Sequence, residues 1–228
     1  MELSSFLEEW DNYYLNLVKD IELFDPEKTK NWNKKQVEHF VRTFYHVRGH
    51  FHEFLFFLAN FAPDNEGKEM VLKNITDEIG LNHISHEKLY HIFAEQLGVE
   101  ILHSEMIEEK TNLTFIKEFN KGYINALSDV SWSDKVSAFA ALERLDNVDY
   151  NNTKLIAESL GVTGTGLTFF NVHMNSKHFD HVLEDCFREA WEEDSKSCKN
   201  NFYFVADYQS KMWQQLSDEI FYNCYSNH

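Results

Sequence analysis

Helix breakers are scarce in this chain: its 228 residues include 8 glycines and 2 prolines. A β-rich fold of this length would need a tight turn every ten or so residues, and most such turns use Gly or Pro. Long runs of helix formers therefore predict an all-α protein, a single-domain bundle of about seven or eight helices over residues 1–228. Period-3.6 patterning and stop signals place helical segments over 2–22, 34–61, 66–79, 83–97, 100–109, 112–128, 133–147, 152–160, 167–193 and 199–226. Gly80 and Gly98 are the expected terminators of the third and fourth. "GVTGTG" (161–166) follows no strand and precedes no Lys-Ser/Thr pair, so it reads as a connector between helices and not as a phosphate cradle.

Composition narrows the function. Apolar residues make up 43% of the chain and aromatics 15%, enough for a substantial core. Lys and Arg number 21 against 38 Asp and Glu, a formal net charge of −17. A surface of that sign repels phosphate backbones and anionic lipid heads, so neither nucleic acid nor a membrane is expected as a partner. The longest apolar run, "FLFFLANF" (54–61), is far short of the roughly 20 residues that span a bilayer. The first twenty residues carry no basic n-region and no apolar h-region. Cys186, Cys198 and Cys224 show no CxxC spacing, and together these features predict a reduced, cytoplasmic protein without a thiolate metal site.

The 12 histidines fall mostly into three groups. "FYHVRGHFHEF" holds His46, His50, His52 and Glu53; "DEIGLNHISHEKLYHIF" holds Asp77, Glu78, His83, His86, Glu87 and His91. The third, "NVHMNSKHFDHVL", holds His173, His178, Asp180 and His181. A lone helical histidine is usually exposed or a hydrogen-bonded core residue, and Glu–His pairs on one face are often only surface pairs. The neighbourhood argues otherwise at particular positions. Leu89, Phe93 and Leu97 put His86 on or beside an apolar stripe, and Phe139, Ala140 and Leu142 turn Glu143 inward. His173 follows the apolar run "LTFF". Buried carboxylates are costly unless paired or bound to metal, and carboxylates with imidazoles but no thiolates suit iron, manganese or zinc.

These residues also carry a resemblance. "NITDEIGLNHISHEKLYHIFAEQLGV" (74–99), the Glu of "AALE" (140–143) and "FFNVH" (169–173) are similar to the motifs of the haem-oxygenase-like di-iron oxidases, whose fold is shared with thiaminase-II-like and pyrroloquinoline-quinone-synthesis proteins. In that family a Glu is followed seven to ten residues on by a His. Leu, an aromatic and Phe then come three, four and seven residues after it, and "LG" closes the helix. Here His86 is followed by Leu89, Tyr90, Phe93 and Leu97-Gly98. The resemblance covers about residues 40–185. It implies Glu78, His86, Glu143 and His173 as ligands of two iron ions, with O2 as co-substrate. Glu53, 25 residues before Glu78, stands where some relatives add a carboxylate, as a further ligand or its support. A homodimer is also implied.

The chain departs from the family in its last motif, reading H-x3-K-x2-D-H where the family has H-x3-D-x2-H. On a straight helix, at about 100° per residue, Asp180 lies about 20° from His173, Lys177 about 40°, His181 about 80° and His178 about 140°. Straight register leaves Lys177 in the family's Asp place and Asp180 in its final His place. A one-residue π-bulge, common at functional sites, would instead bring in His178 and His181. Protonated Lys cannot bind iron, so the two geometries hold the second iron differently. The leading expectation is a non-haem di-iron oxidase or oxygenase acting on a small molecule, most readily an amino acid or derivative with an apolar or aromatic part. Lys177, Arg48 or Arg42 would hold a carboxylate. The aromatics Phe44, Phe51, Phe139, Phe169 and Phe170 are either cavity walls or plain core. Two other classes compete: a cofactorless thiaminase-II-like hydrolase, which would need a nucleophilic Cys between the helices, and a non-enzymatic helical interaction protein.

Overall fold

The computed structural model describes residues 2–81, 83–102, 114–175 and 181–223, and among them it is all-α. Nine α-helices are seen in these residues: α1 (Leu3–Val18), α2 (Pro26–Thr29), α3 (Lys34–Phe61), α4 (Asn65–Ile79), α5 (His86–Gln96), α6 (Thr114–Ser128), α7 (Trp132–Ser159), α8 (Thr168–Asn175) and α9 (His181–Asp218). Local chemistry sets most of their starts. Asn33 accepts from the Gln36 amide while the Gln36 side chain returns to the Asn33 amide, a capping box that opens α3. Ser131 and Asp134 do the same for α7, Asp64 caps α4 through Gly67 N–H, and Ser85 caps α5 through Lys88 N–H.

Two elements differ from the expected ones. Residues 133–147 and 152–160 belong to one helix, α7, with no break at "DYNNT". Asp149 and Thr153 are buried there and Thr153 Oγ1 donates to the Asp149 carbonyl, so interior packing overrides the low helix propensity of Asp, Asn and Thr. The α9 span runs through the expected gap at 194–198, but Asp194 has a non-helical backbone (φ −149°, ψ 84°). Its Oδ1 accepts from the amides of Lys196 and Ser197, so a new helix is capped at the place where the sequence predicts a boundary. The helix expected over 100–109 lies largely outside the described residues.

The long helices α3, α7 and α9 enclose the core, with α1 and α6 packed on its flanks and α4, α5 and α8 gathered at one side. Trp10 of α1 donates its indole N–H to the Phe202 carbonyl of α9 and packs edge-on to the Phe202 ring at 5.0 Å. Fully buried Phe, Tyr and Trp side chains supply much of this interior, each worth on the order of 2–3 kcal/mol in apolar area removed from water. Among the described residues no helix is long and apolar enough to cross a membrane.

Candidate metal centre

The side of the bundle formed by α4, α5 and α8 places Glu78, His86 and His173 together. Glu78 ends α4 and His86 begins α5, eight residues later. The chain reverses between them through Gly80, which terminates α4 at φ 70°. A Cβ at Gly80 would stand 2.5 Å from the Ser85 amide nitrogen, so both the left-handed backbone and the close approach require glycine. The reversal brings His86 Nδ1 to 2.9 Å from Glu78 Oε1. His173, on α8, stands with its Nε2 3.7 Å from the same oxygen, and the two imidazole rings are 4.4 Å apart.

All three residues are buried, at 4%, 1% and 3% exposure. One ligand atom from each lies within 4.8 Å of the others. Metal–nitrogen and metal–oxygen bonds of about 2.1 Å set a maximum separation of about 4.2 Å between ligands of one ion, so contraction by about half an ångström suffices. Proton placement also favours coordination. His173 Nδ1 lies 2.8 Å from the Phe169 carbonyl; a carbonyl only accepts, so that nitrogen carries the proton and Nε2 presents its lone pair. Burial lowers the His173 pKa despite the nearby Glu78, which keeps the ring neutral as a ligand must be. Burial alone would raise Glu78, but the neighbouring imidazoles, His173 close by and His52 and His86 in hydrogen-bond contact, outweigh it and hold the carboxyl well below its usual range. The donor set, one buried carboxylate and two imidazoles, fits an iron ion.

The second oxygen of Glu78 has other partners. His52 Nε2 lies 2.9 Å from Oε2, and Arg48 Nη1 lies 3.5 Å from it. Both come from α3. Glu53 is exposed on that helix, so the contact falls to its neighbour, about 100° around the helix. Glu143 is buried at 3% exposure on α7, outside the three-residue cluster. Tyr150, two turns later on the same helix face, stacks on the His173 ring with centroids 4.0 Å apart. Lys177, His178 and Asp180 lie outside the described residues. For His181 only the backbone, at the start of α9, is described, so the choice between straight helix and bulge falls outside too.

A cavity of about 60 Å³ adjoins this centre between α3, α6, α7 and α9. Phe44, Phe51, Phe54, Phe119 and Trp213 form much of its wall, and Arg48, Asp146, Asp149 and Tyr150 its polar end. Arg48 and Tyr150 thus border the cavity while touching Glu78 and His173. Phe170 is not among the cavity residues; it packs edge-on to Phe93 at 4.9 Å within the core. Arg42 sits elsewhere, donating to the Glu100 carbonyl. Cys186 and Cys198 do not border this cavity either, and burial pushes both thiols up, which disfavours the nucleophilic thiolate. Cys224 lies outside the described residues.

Sequence reasoning placed His52 in a histidine-rich group without giving it a role, and did not single out Asp146 or Asp149. The signal for the last two was their spacing from Glu143 and Tyr150, which puts them on interior faces of one continuous helix.

The comparisons agree with this geometry. A family described as "Iron-containing redox enzyme" matches residues 38–193, a span that includes Glu78, His86, Glu143 and His173. The chain belongs to that family and is, at that level, an oxidoreductase. Two crystal structures of a CADD-like protein of unknown function from Nostoc punctiforme share its fold. One, at 2.00 Å resolution, has a TM-score of 0.65 at 18% identity over 94% of this chain and 98% of that one. The other, at 1.35 Å, has a TM-score of 0.64 at 17% identity over 94% and 95%. No curated protein matches the chain.

Proposed function

We propose that the protein is a non-haem di-iron oxidase or oxygenase that uses O2 to oxidise a small molecule held in the aromatic cavity. The observation that carries this reading is the buried Glu78–His86–His173 cluster in direct contact, through Arg48 and Tyr150, with that cavity. Glu78, His86 and His173 would hold one iron. Glu143, with donors from the 173–181 segment (His178, Asp180 or His181), would hold the second. Iron bound there supplies the electrons that activate O2.

The chain's own residues do the rest. The Phe169 carbonyl fixes the His173 tautomer. Tyr150 and Phe169 pack on that ring, at 4.0 and 4.5 Å between centroids, and hold its plane. Arg48 offsets part of the buried negative charge at Glu78 and lies over the Tyr90 and Phe169 rings, 5.8 and 5.7 Å from their centroids. The apolar walls exclude bulk water and receive an apolar or aromatic group, while Arg48 offers a cation to a carboxylate, in keeping with an amino acid or derivative as substrate.

Anaerobic loading with Fe(II) followed by exposure to O2 tests the proposal. Near two irons per chain by elemental analysis, and O2 uptake that depends on the bound iron, are the expected results. A chain that takes up no iron, or whose iron does not consume O2, contradicts it.

A further inference from the structure

Three carboxylates stand at or beside the polar end of the cavity, and two of them are fully engaged. Asp149 Oδ1 accepts from the Tyr14 hydroxyl at 2.6 Å. Its Oδ2 accepts from Gln209 Nε2 at 3.0 Å and Trp213 Nε1 at 2.8 Å. Glu78 is taken up by His86, His52 and Arg48. Asp146 is different: it borders the cavity, half-buried, and its carboxyl makes no hydrogen bond to a described residue. A second group at the same end is incomplete. Arg48 is 6% exposed, and its buried Nε has no hydrogen-bond partner among the described residues. A cavity with apolar walls and two unfinished polar groups is built for a ligand with a polar head.

From this we infer that Asp146 anchors the ammonium group of the bound molecule, so that the cavity selects a small hydrophobic amine over the matching alcohol, with Arg48 left for the carboxylate of an amino-acid substrate. The inference rests on reading the cavity as the substrate's place. The local field favours a cation: burial, then Asp149 and Glu78, push the Asp146 carboxyl well above the usual carboxylate range, and an ammonium beside it would relieve that repulsion. Size sets the body of the molecule. About 60 Å³ corresponds to roughly two waters' share of liquid volume, which favours a short branched aliphatic group over an aromatic one.

Isothermal titration of the metal-free protein with two ligands sharing one body tests it: 3-methylbutan-1-amine and 3-methylbutan-1-ol. The amine should bind about tenfold or more tighter than the alcohol, the scale of a charge-assisted hydrogen bond away from water. Asp146→Asn should bring the amine to the level of the alcohol and leave alcohol binding unchanged, which also reports that the variant is folded. Asp146→Glu should restore part of the preference. The inference is overturned if amine and alcohol bind alike, if Asp146→Asn keeps the preference, or if neither binds. Iron loading of the same preparations separates the two readings. Iron uptake without amine preference overturns this inference alone, and amine preference without iron uptake overturns the di-iron proposal alone.

Discussion

Glu78 joins four side chains, so changes around it should be selective. Replacing it with Gln removes the charge that holds His86, His52 and Arg48; Fe(II) affinity should fall at least about tenfold, the range seen when a metal site loses a key group. An Fe(II) titration with elemental analysis checks this, with circular dichroism as the control for folding. Asp149 makes a prediction about pH. Its carboxyl is raised from the ordinary 3.8 to about 6, chiefly by burial, with its three hydrogen-bond donors opposing. The folded state therefore holds a proton that the unfolded state has already released. The stabilisation from this group is complete below about pH 4 and is lost as pH rises through about 6, by on the order of 3 kcal/mol. Urea unfolding of wild type and Asp149→Asn from pH 4 to 7 should show their stability difference changing over that window. A constant difference would contradict it. His86 and His173 were legible as inward-facing because apolar residues stand beside them in sequence, whereas Glu78 was reached through the family resemblance. The role of His52 was not legible, because its partner lies on another helix and nothing nearby in sequence marks the contact.

The element that forms the centre is the turn between α4 and α5, and its geometry depends on one residue. Gly80→Ala would force a side chain into a positive-φ position and against Ser85. It should cost about 1–3 kcal/mol of stability and weaken iron binding by separating His86 from Glu78. Gly49, inside α3, is the control: a Cβ there meets nothing within 4 Å, so Gly49→Ala should be neutral or stabilising by up to about 1 kcal/mol. Thermal unfolding and Fe(II) titration of both variants check the contrast. Helix starts and the Gly80 and Gly98 stops could be read locally, because caps and left-handed glycines act within a few residues. The continuity of α7 could not. The cluster "DYNNT" reads as a break by propensity, and only the burial of Asp149 against α1 and α9, with Thr153 buried on the same helix, reverses that reading.

At the scale of the molecule, the account joins a helical bundle, a buried ligand cluster and an adjoining cavity. Iron that binds only the folded chain should raise its thermal stability, by about 2.7 kcal/mol at a hundredfold excess over the dissociation constant. A melting temperature that rises with Fe(II) in wild type, and far less in His86→Ala, is the expected result in differential scanning calorimetry. The all-α class followed directly from the scarcity of breakers and the periodicity of apolar residues. The pairing of Glu78 with His52 and Arg48 depends on how α3 and α4 pack, which no local pattern encodes. The most direct test of the central claim is iron stoichiometry after anaerobic loading, measured on wild type, Glu143→Ala and His86→Ala. The account predicts about two irons per chain in wild type, one retained when Glu143 is removed, and the Glu78-centred iron lost with His86. Equal iron content in all three proteins, or none in wild type, would contradict it.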